Sequence, residues 1–246
     1  MLALSSISKT FDGGVEALRG VDLSVDSGEF VSLLGPSGCG KSTVLRIAAG
    51  LIAPSAGRVA FPDGKPAIGF VFQEPALMPW ASALSNVRLP LDLKGMARDE
   101  AQARAEHALH RVGLKGFENA FPRTLSGGMK MRVSIARAIA SGARLLLMDE
   151  PFAALDELAR QALNDDLLAL AREDAMTVIF VTHSVFESAY LSTRVVVMTP
   201  RPGRIAAEIR LSPPPGRDVS WRMTEDFAAA AREISGALRG AMEQAA

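Results

Sequence analysis

Short apolar runs separated by glycine and charged residues fill residues 1–73 of the chain. Runs of this length that end at glycine, proline or aspartate are typical of β-strands. The pattern therefore predicts that this part of the chain folds as sheet. The predicted strands cover residues 2–7, 15–25, 30–34, 58–61 and 68–72.

The pattern becomes helical over residues 82–117, which are rich in Ala, Leu, Arg and Glu and contain few β-branched side chains. We expect a helical subdomain there, inserted into a chain that otherwise alternates between strand and helix. Strands are predicted again at residues 145–149, 177–181 and 194–198, with a helix over 156–172. These later strands are apolar without alternation, which is typical of parallel strands covered on both faces.

The last part of the chain combines a proline-rich segment with one amphipathic pattern. Residues 212–216 read Ser-Pro-Pro-Pro-Gly and predict a linker. Beyond the linker, apolar residues fall near helical spacing and predict one packed amphipathic helix. These residues are Trp221, Phe227, Ile234, Leu238 and Met242.

The composition indicates a globular protein with no overall electrostatic preference. The 246 residues are 48% hydrophobic, which is enough for a sizeable core, and they include 27 basic and 27 acidic side chains. Because no net charge draws the chain to polyanions, we expect no nucleic-acid partner. The single cysteine, Cys39, excludes an internal disulfide, and the lack of a signal-peptide pattern leads us to expect a cytosolic location. No apolar stretch approaches the roughly 20 residues that span a bilayer, so a membrane role would need a partner.

One glycine-rich segment carries the strongest chemical signal. It fits G-x-x-x-x-G-K-[ST], the pattern of a phosphate-binding loop, and directly follows the apolar run at residues 30–34. Glycine lets the backbone N–H groups of such a loop turn toward phosphates, and the helix that follows adds its positive end. A random chain of this length matches the pattern roughly once in a hundred times. The candidate nucleotide-binding residues are Gly35, Pro36, Ser37, Gly38, Cys39, Gly40, Lys41, Ser42 and Thr43.

Three side chains of this loop suggest specific roles. Lys41 is expected to hold the β- and γ-phosphates, and the Ser42 hydroxyl is expected to bind Mg²⁺. Cys39 is either a redox-sensitive thiol beside a helix N-terminus or, as we favour, a loop residue whose backbone carries the function.

Two adjacent carboxylates follow the apolar run at residues 145–148. Ligands of parallel sheets collect at the carboxyl ends of the strands, where these side chains are expected. Asp149 is predicted to hold Mg²⁺, usually through water, and Glu150 to orient and deprotonate an attacking water. Alone, the pair could be a solvated strand end, but its combination with a phosphate loop favours the functional interpretation.

A third segment, residues 125–129, reads Leu-Ser-Gly-Gly-Met and precedes a helical pattern. Ser126 is expected to cap that helix, while Gly127 and Gly128 expose backbone donors. The physical logic is that of the phosphate loop, so the segment predicts a second anion site. Taken alone, an ordinary capped helix explains it equally well.

With these motifs in this order, the chain resembles the ATP-binding cassette family over roughly residues 2–210. The resemblance implies an α/β fold, with a P-loop NTPase core, an N-terminal antiparallel β subdomain and an inserted helical subdomain. It implies a single domain that has its nucleotide-binding core at residues 1–73 and 145–210. The helical signature subdomain would cover 74–144, and a C-terminal linker and helix would cover 211–246.

The same resemblance assigns further site residues, with ATP and Mg²⁺ as the implied cofactors. Gln73 matches the family's glutamine that contacts Mg²⁺ and water and relays motion to a transmembrane partner. His183 matches the histidine that contacts the γ-phosphate and steadies the catalytic glutamate, and Phe11 lies where an aromatic ring stacks on adenine. The family pairs two cassettes head to tail, so residues 126–128 of one copy are expected to contact the γ-phosphate held by the other. Residues 154–156 match the loop that communicates between the two sites.

Two positions depart from the family's pattern. Met129 stands where Gln or Glu is common, and Phe11 replaces the commoner Tyr. Neither change removes a reacting group, because stacking needs only a π face and the signature contacts come from Ser126 and the backbone. The preference for ATP over GTP stays open.

Residues 74–80 and 85–91, and the later residues 198–205, look like those of cassettes from nitrate, sulfonate and taurine importers. In the resemblance, the first of these segments forms part of a groove that receives a short permease helix. Exposed Leu77, Met78 and Trp80 would suit such a groove, although they could instead pack between the two subdomains. The implied partners are a second copy, integral-membrane permease subunits and, indirectly, a periplasmic or lipid-anchored solute-binding protein. The chain would then lie at the cytoplasmic face of the inner membrane as a peripheral subunit.

Two other classes of function compete with this one. A soluble ABC-type ATPase, for example one that drives iron–sulfur cluster assembly, differs mainly in lacking a Trp80-like region. A simple P-loop kinase would make the segment at 125–129 accidental. His107 and His110 share a helix face and could bind metal, but a solvated face is the favoured interpretation. The chain's end soon after position 240 leads us to expect no additional regulatory domain.

Overall fold

The structure is a computed structural model that describes residues 1–214 and 216–243. Pro215 of the predicted linker and the last three residues of the predicted C-terminal segment lie outside the described residues. The strands are β1 (Leu2–Thr10), β2 (Glu16–Val25), β3 (Phe30–Leu34), β4 (Ala56–Ala60), β5 (Ile68–Val71), β6 (Leu145–Asp149), β7 (Thr177–Thr182), β8 (Arg194–Met198) and β9 (Ile205–Arg210). The α-helices are α1 (Lys41–Ala49), α2 (Ala83–Leu93), α3 (Arg98–Arg111), α4 (Gly127–Ala140), α5 (Glu157–Glu173), α6 (Val185–Leu191) and α7 (Glu225–Glu243).

The chain divides into two compact units. The first unit comprises residues 1–66 and 177–246, and the second comprises residues 67–176. Within the residues that are described, no helix is both long and apolar enough to cross a membrane.

An antiparallel sheet of three strands lies in the first unit, in the order β2, β1, β4. Leu2 of β1 lies opposite Val25 of β2, and Ala3 lies opposite Ala60 of β4. Leu2 and Val25 are both buried, so one face of the sheet contributes to the core. The predicted N-terminal antiparallel β region is therefore present.

Parallel strands form the centre of the first unit. β3 lies between β7 and β8, with Phe30 opposite Val178 and Val31 opposite Arg194. Every residue of these three strands is buried, which confirms the prediction of parallel strands covered on both faces. β9 pairs antiparallel with β8 and was not predicted.

The second unit combines the parallel pair β5 and β6 with helices α2, α3 and α4, which contact one another. Helix α4 approaches β5 closely at Gly69. A Cβ atom there would lie 2.8 Å from Cβ of Ala138 and 2.9 Å from Cβ of Ala143. Only glycine allows this approach without displacement, so Gly69 fixes the distance between the strand and the helix.

The C-terminal helix is shorter than the amphipathic pattern predicts. Trp221 lies in a separate 3₁₀ turn, Val219–Met223, and the Thr224 hydroxyl accepts a hydrogen bond from the N–H of Phe227 at the start of α7. The Trp221 ring packs edge-on against Phe227, with 5.1 Å between the ring centroids, and lies 5.9 Å from Tyr190. Aromatic packing, not helix continuation, therefore buries Trp221, and its placement in the helix was wrong.

Candidate functional site

The phosphate loop connects β3 to α1 within the first unit. Gly38 and Gly40 have positive φ angles of 76° and 107°, which favour glycine. At Gly35 a Cβ atom would lie 2.9 Å from Sγ of Cys39 and 3.0 Å from the carbonyl oxygen of Met198. The three glycines thus let the loop close on itself in a space that side chains would fill.

Helix α1 begins at Lys41, directly after the loop, and its N-terminus differs from those of most other helices. Its N-cap is Gly40, with no side-chain hydrogen bond to the first turn. Helices α2, α4, α5 and α6 each carry a side-chain cap, from Ser82, Ser126, Asp156 and Ser184 respectively. The first-turn N–H groups of a helix point out of its N-terminus and attract anions. The loop and α1 therefore fit a phosphate group.

Lys41 places a cation inside this loop. Its side chain is buried, and its ammonium group donates hydrogen bonds to the carbonyl oxygens of Gly35 at 2.8 Å and Pro36 at 3.0 Å. Cys39 is also buried, its Sγ lying 3.9 Å from the Lys41 nitrogen. Ser42 and Thr43 follow in the first turn of α1 and are partly exposed.

One residue of this region was missed by sequence reasoning. Arg201 donates to the carbonyl oxygen of Gly38 from Nε at 3.2 Å and from Nη2 at 3.0 Å. It contacts the loop from 163 positions further along the chain, so no local pattern could have revealed the contact. Arg201 adds a second positive charge beside the candidate phosphate site.

Phe11 lies in a tight turn after β1. Its N–H donates to the carbonyl oxygen of Val15 at 3.0 Å, and its side chain is 40% exposed. The ammonium group of Lys9 lies 5.3 Å from the ring centroid. An exposed ring held by a turn can stack on a planar base.

His183 stands exposed between the end of β7 and the start of α6. Both neighbours are fixed, because the Thr182 hydroxyl hydrogen-bonds the buried carboxylate of Glu187 and accepts from the Ser184 N–H at 3.0 Å. Ser184 in turn caps α6 by accepting from the Glu187 N–H at 3.2 Å. The backbone at His183 is therefore anchored on both sides, and sequence reasoning did not single out Glu187.

The second unit carries the predicted carboxylates at one edge of its strand pair. Asp149 ends β6 and is buried, and Glu150 follows it. Glu150 has a φ of 45°, an uncommon conformation for a residue other than glycine. Strained backbone of this kind is often found at functional sites, because surrounding structure must hold it.

Gln73 emerges at the same edge as these carboxylates. Val71 of β5 lies opposite Met148 of β6 in the parallel pair, so both strands end together. Gln73 is exposed two residues beyond Val71, and Asp149 directly follows Met148. The structure thus brings the amide of Gln73 and the predicted carboxylates to the carboxyl ends of neighbouring strands.

Ser126 caps helix α4 as predicted. Its hydroxyl oxygen accepts from the N–H of Met129 at 3.2 Å. Gly127 and Gly128 form the first turn, where an added Cβ would come no closer than 3.4 Å to its neighbours. The cap uses the backbone of Met129, so the departure from the usual Gln or Glu leaves it intact.

Oxygen atoms make up the set of candidate metal ligands. Ser42 supplies a hydroxyl, Gln73 an amide oxygen and Asp149 a carboxylate, and Mg²⁺ prefers oxygen ligands of this kind. Across residues 1–214 and 216–243, no group of three His, Cys, Asp or Glu side chains could hold a metal ion. Ser42 belongs to the first unit, and Gln73 and Asp149 belong to the second. Each of these donors by itself has the chemistry that suits Mg²⁺, which also keeps several waters and binds substrate phosphates.

The fold and these residues define a P-loop nucleotide-binding protein of cassette type. The model of the ABC transporter family matches residues 18–153, and the chain belongs to this family. The aliphatic sulfonates import ATP-binding protein of Pseudomonas syringae is 49% identical over 201 residues, which make up 82% of this chain and 81% of that protein. The taurine import ATP-binding protein of Rhizobium johnstonii is 46% identical over 203 residues, 80% of this chain and 77% of that protein.

A solved structure of an ATP-binding cassette is also similar to this chain. It is a dimeric, post-hydrolysis state of an ATP-binding cassette bound to ADP and Pi, with a TM-score of 0.77 and 36% identity. The match covers 87% of this chain and 100% of that one. The predicted fold class and the predicted ATP hydrolase activity are therefore confirmed at the level of the family. The chain is an ABC-type ATP-binding subunit.

Proposed function

We propose that this chain is the ATP-hydrolysing subunit of an importer for a small anionic solute of the nitrate, sulfonate or taurine type. The observation that supports the transport role is the exposure of Trp80, a residue that is 76% exposed in the segment that follows Gln73. Leu77 and Met78 are only half-buried, so the apolar surface is smaller than the sequence suggested. An exposed tryptophan on a structured loop is suited to a protein partner.

In this proposal the first unit binds the nucleotide. The backbone of residues 35–43 and the ammonium group of Lys41 hold the β- and γ-phosphates, and Arg201 adds charge beside the loop. Phe11 stacks on the adenine ring. His183, anchored through Thr182 and Ser184, contacts the γ-phosphate.

The second unit supplies the hydrolytic groups. Glu150 orients the attacking water and accepts its proton, and such a general base typically accelerates a reaction by about 10²- to 10⁴-fold. Ser42, Gln73 and Asp149 would hold Mg²⁺, which neutralises the charge that develops on the phosphate oxygens. Gln73 lies immediately before the segment that contains Trp80. Binding of a partner to this segment would therefore shift Gln73 and change the rate of hydrolysis.

Two copies act together in the proposed cycle. Residues 126–128 of one copy contact the γ-phosphate bound by the other. The dimeric state of a similar cassette supports the pairing of two copies. Closure of the pair on two MgATP molecules would pull the permease helices together, and hydrolysis would release them. The names of the sulfonate and taurine relatives support the import direction and the class of solute. A solute-binding protein would deliver that solute on the other side of the membrane.

A Glu150→Gln substitution tests the hydrolytic role. We expect the variant to bind MgATP as tightly as the wild type and to hydrolyse it about 10²- to 10⁴-fold more slowly. Glu100→Gln, at an exposed position of α3, is the matched control. Near-normal turnover by Glu150→Gln would contradict the role of general base.

The transport role is tested by recovery of partners. Tagged Glu150→Gln protein is purified from membranes with ATP, and the proteins that accompany it are identified. We expect a multi-spanning membrane protein that is lost when Trp80 is replaced by Ala. Recovery of soluble partners alone would instead support a soluble ABC ATPase, such as one of iron–sulfur cluster assembly.

A further inference from the structure

Two side chains fix the segment 75–82, which lies between Gln73 and helix α2. Asn86 holds the end near Trp80, and Arg137 holds the end near Gln73. The sequence analysis assigned neither residue a role of its own. Both act on backbone atoms, so they determine the path of the chain and not the chemistry of any side chain on it.

Asn86 lies on the first turns of α2 and is completely buried. Its amide nitrogen is within 3.2 Å of the carbonyl oxygen of Met78, 3.1 Å of that of Ala81 and 3.0 Å of that of Ser82. Its oxygen accepts from the N–H of Met78 at 2.7 Å. The side-chain amide therefore uses its N–H donors and its oxygen acceptor on the backbone of residues 78–82. Only an amide side chain offers two N–H donors together with a carbonyl oxygen.

Arg137 reaches the other end of the segment from helix α4. Its Nη1 donates to the carbonyl oxygen of Ala76 at 3.0 Å, and its Nη2 donates to that of Pro75 at 3.1 Å. Among residues 1–214 and 216–243, no carboxylate is near enough to pair with it, and burial lowers the pKa of its guanidinium. Arg137 is partly buried, and backbone carbonyls are therefore the main compensation for the water that its charge loses.

The backbone conformation of Ala76 requires a restraint such as the hydrogen bond from Arg137. Its φ is 47°, a left-handed conformation that disfavours residues with a Cβ atom. An alanine remains in this region only when its surroundings hold it there. The hydrogen bond from Arg137 to the Ala76 carbonyl is one such restraint.

We propose that Asn86 and Arg137 are positioning residues that hold the segment 75–82 in one conformation and so set the place of Gln73 for hydrolysis. Because Arg137 lies on α4, which Ser126 caps, it also ties this segment to the helix that begins with the signature residues. A partner that displaces the segment would therefore move both Gln73 and the signature residues at the start of α4. This inference rests on the proposed function, in which Gln73 acts on Mg²⁺ and water.

Hydrogen exchange tests the restraint without any nucleotide. The N–H of Met78 donates to the side-chain oxygen of Asn86, and the N–H of Ala81 donates to the carbonyl oxygen of Met78 within the segment. We expect exchange of the peptide covering 75–82 to accelerate about tenfold or more in Arg137→Met and in Asn86→Asp, because an opened segment exposes these groups. Arg132→Met is the matched control, since Arg132 also lies on α4 but contacts Val112 and Asp166.

Steady-state hydrolysis tests the consequence for function. We expect Arg137→Met to lower kcat about tenfold or more, with the KM for ATP within about twofold of the wild type, because a misplaced Gln73 impairs turnover more than binding. Arg137→Lys retains a donor and should recover part of the rate. Adding Ala76→Gly to Arg137→Met should also recover part of it, because glycine adopts the left-handed conformation without restraint.

Distinct results would overturn the positioning role and the proposed function. Unchanged exchange of residues 75–82 in both Arg137→Met and Asn86→Asp would overturn the restraint itself. Faster exchange with a kcat no lower than that of Arg132→Met would overturn its link to hydrolysis. Absence of ATP hydrolysis by the wild-type chain would overturn the proposed function, whereas the exchange result does not depend on it. If Arg137→Met fails to fold, hydrogen exchange and steady-state hydrolysis are measured on Arg137→Lys and Asn86→Asp instead.

Discussion

The ammonium group of Lys41 donates a hydrogen bond to the carbonyl oxygen of Gly35, over a distance of 2.8 Å. The lysine side chain therefore bends back over the loop that precedes its own helix, and it is buried there. A buried ammonium group beside an uncapped helix N-terminus concentrates positive potential at one place. Phosphate groups that bind there gain a charge-assisted contact.

Lys41→Ala should weaken ATP binding. Hydrogen bonds to charged groups typically contribute about 1.5–3 kcal/mol, so we expect the dissociation constant for MgATP to rise about 10- to 100-fold. Titration calorimetry measures this directly. Lys65→Ala, at an exposed lysine of the same unit, is the control and should bind as the wild type does. Equal affinity in Lys41→Ala and Lys65→Ala would rule out the phosphate contact.

Gly40→Ala should damage the loop through steric overlap. The added Cβ would lie 2.6 Å from Cδ2 of Leu18 and 2.9 Å from the carbonyl oxygen of Ala17, at a φ of 107°. We expect a loss of about 1–3 kcal/mol in unfolding free energy and a severe loss of ATP binding. Gly64→Ala separates the two causes, because Gly64 has a φ of 85° but no atom within 4 Å of the added Cβ.

The sequence predicted the buried strands and helix starts well. Residues 30–34, 145–149 and 194–198 form strands with the predicted bounds, since continuous apolar runs and turn residues mark them locally. Ser126 caps its helix as expected for the same local reason. Strand β9 was missed because Ile205–Arg210 is an edge strand with one buried residue, so its periodicity is weak.

Parts of the candidate site depended on contacts between distant residues. Arg201 reaches Gly38, and Arg137 reaches Ala76, only after the chain has folded. The positive φ of Glu150 has no signature in a Leu-Leu-Met-Asp-Glu sequence. Trp221 has helical spacing, but its ring packs in an aromatic cluster that the pattern could not reveal.

Ser126→Ala should separate helix capping from catalysis. Loss of the hydrogen bond to Met129 should cost about 1 kcal/mol of unfolding free energy. Thr224→Ala is the control, because Thr224 caps α7 by accepting from the N–H of Phe227 at 3.2 Å. Chemical denaturation should give similar losses in both variants. Only Ser126→Ala should also reduce ATP hydrolysis, and equal hydrolysis in the two variants would leave Ser126 with a structural role alone.

An ion pair between Glu29 and Arg194 links the entries of strands β3 and β8. Arg194 Nε lies 2.7 Å from Glu29 Oε1, and Nη2 lies 2.9 Å from Oε2. Burial alone would raise the pKa of Glu29, but hydrogen bonds from Arg194 and from the N–H of Asp26 outweigh it and lower the pKa. A two-point arginine–carboxylate contact is among the stronger hydrogen-bonded pairs.

The lowered pKa of Glu29 predicts how this pair responds to acid. A carboxyl group whose pKa is lower in the folded state stabilises the fold above its unfolded pKa of about 4.3 and loses that contribution as the pH falls through the folded pKa. Glu29→Gln should therefore be about 1–2 kcal/mol less stable than the wild type at pH 7. The difference should shrink as the pH falls below the unfolded pKa, because the unfolded chain then takes up a proton at this position more readily than folded Glu29 does. Urea denaturation at several pH values measures both curves, with Glu100→Gln as the exposed control, and a difference that stays constant down to pH 3 would show that the charge of Glu29 does not stabilise the strands.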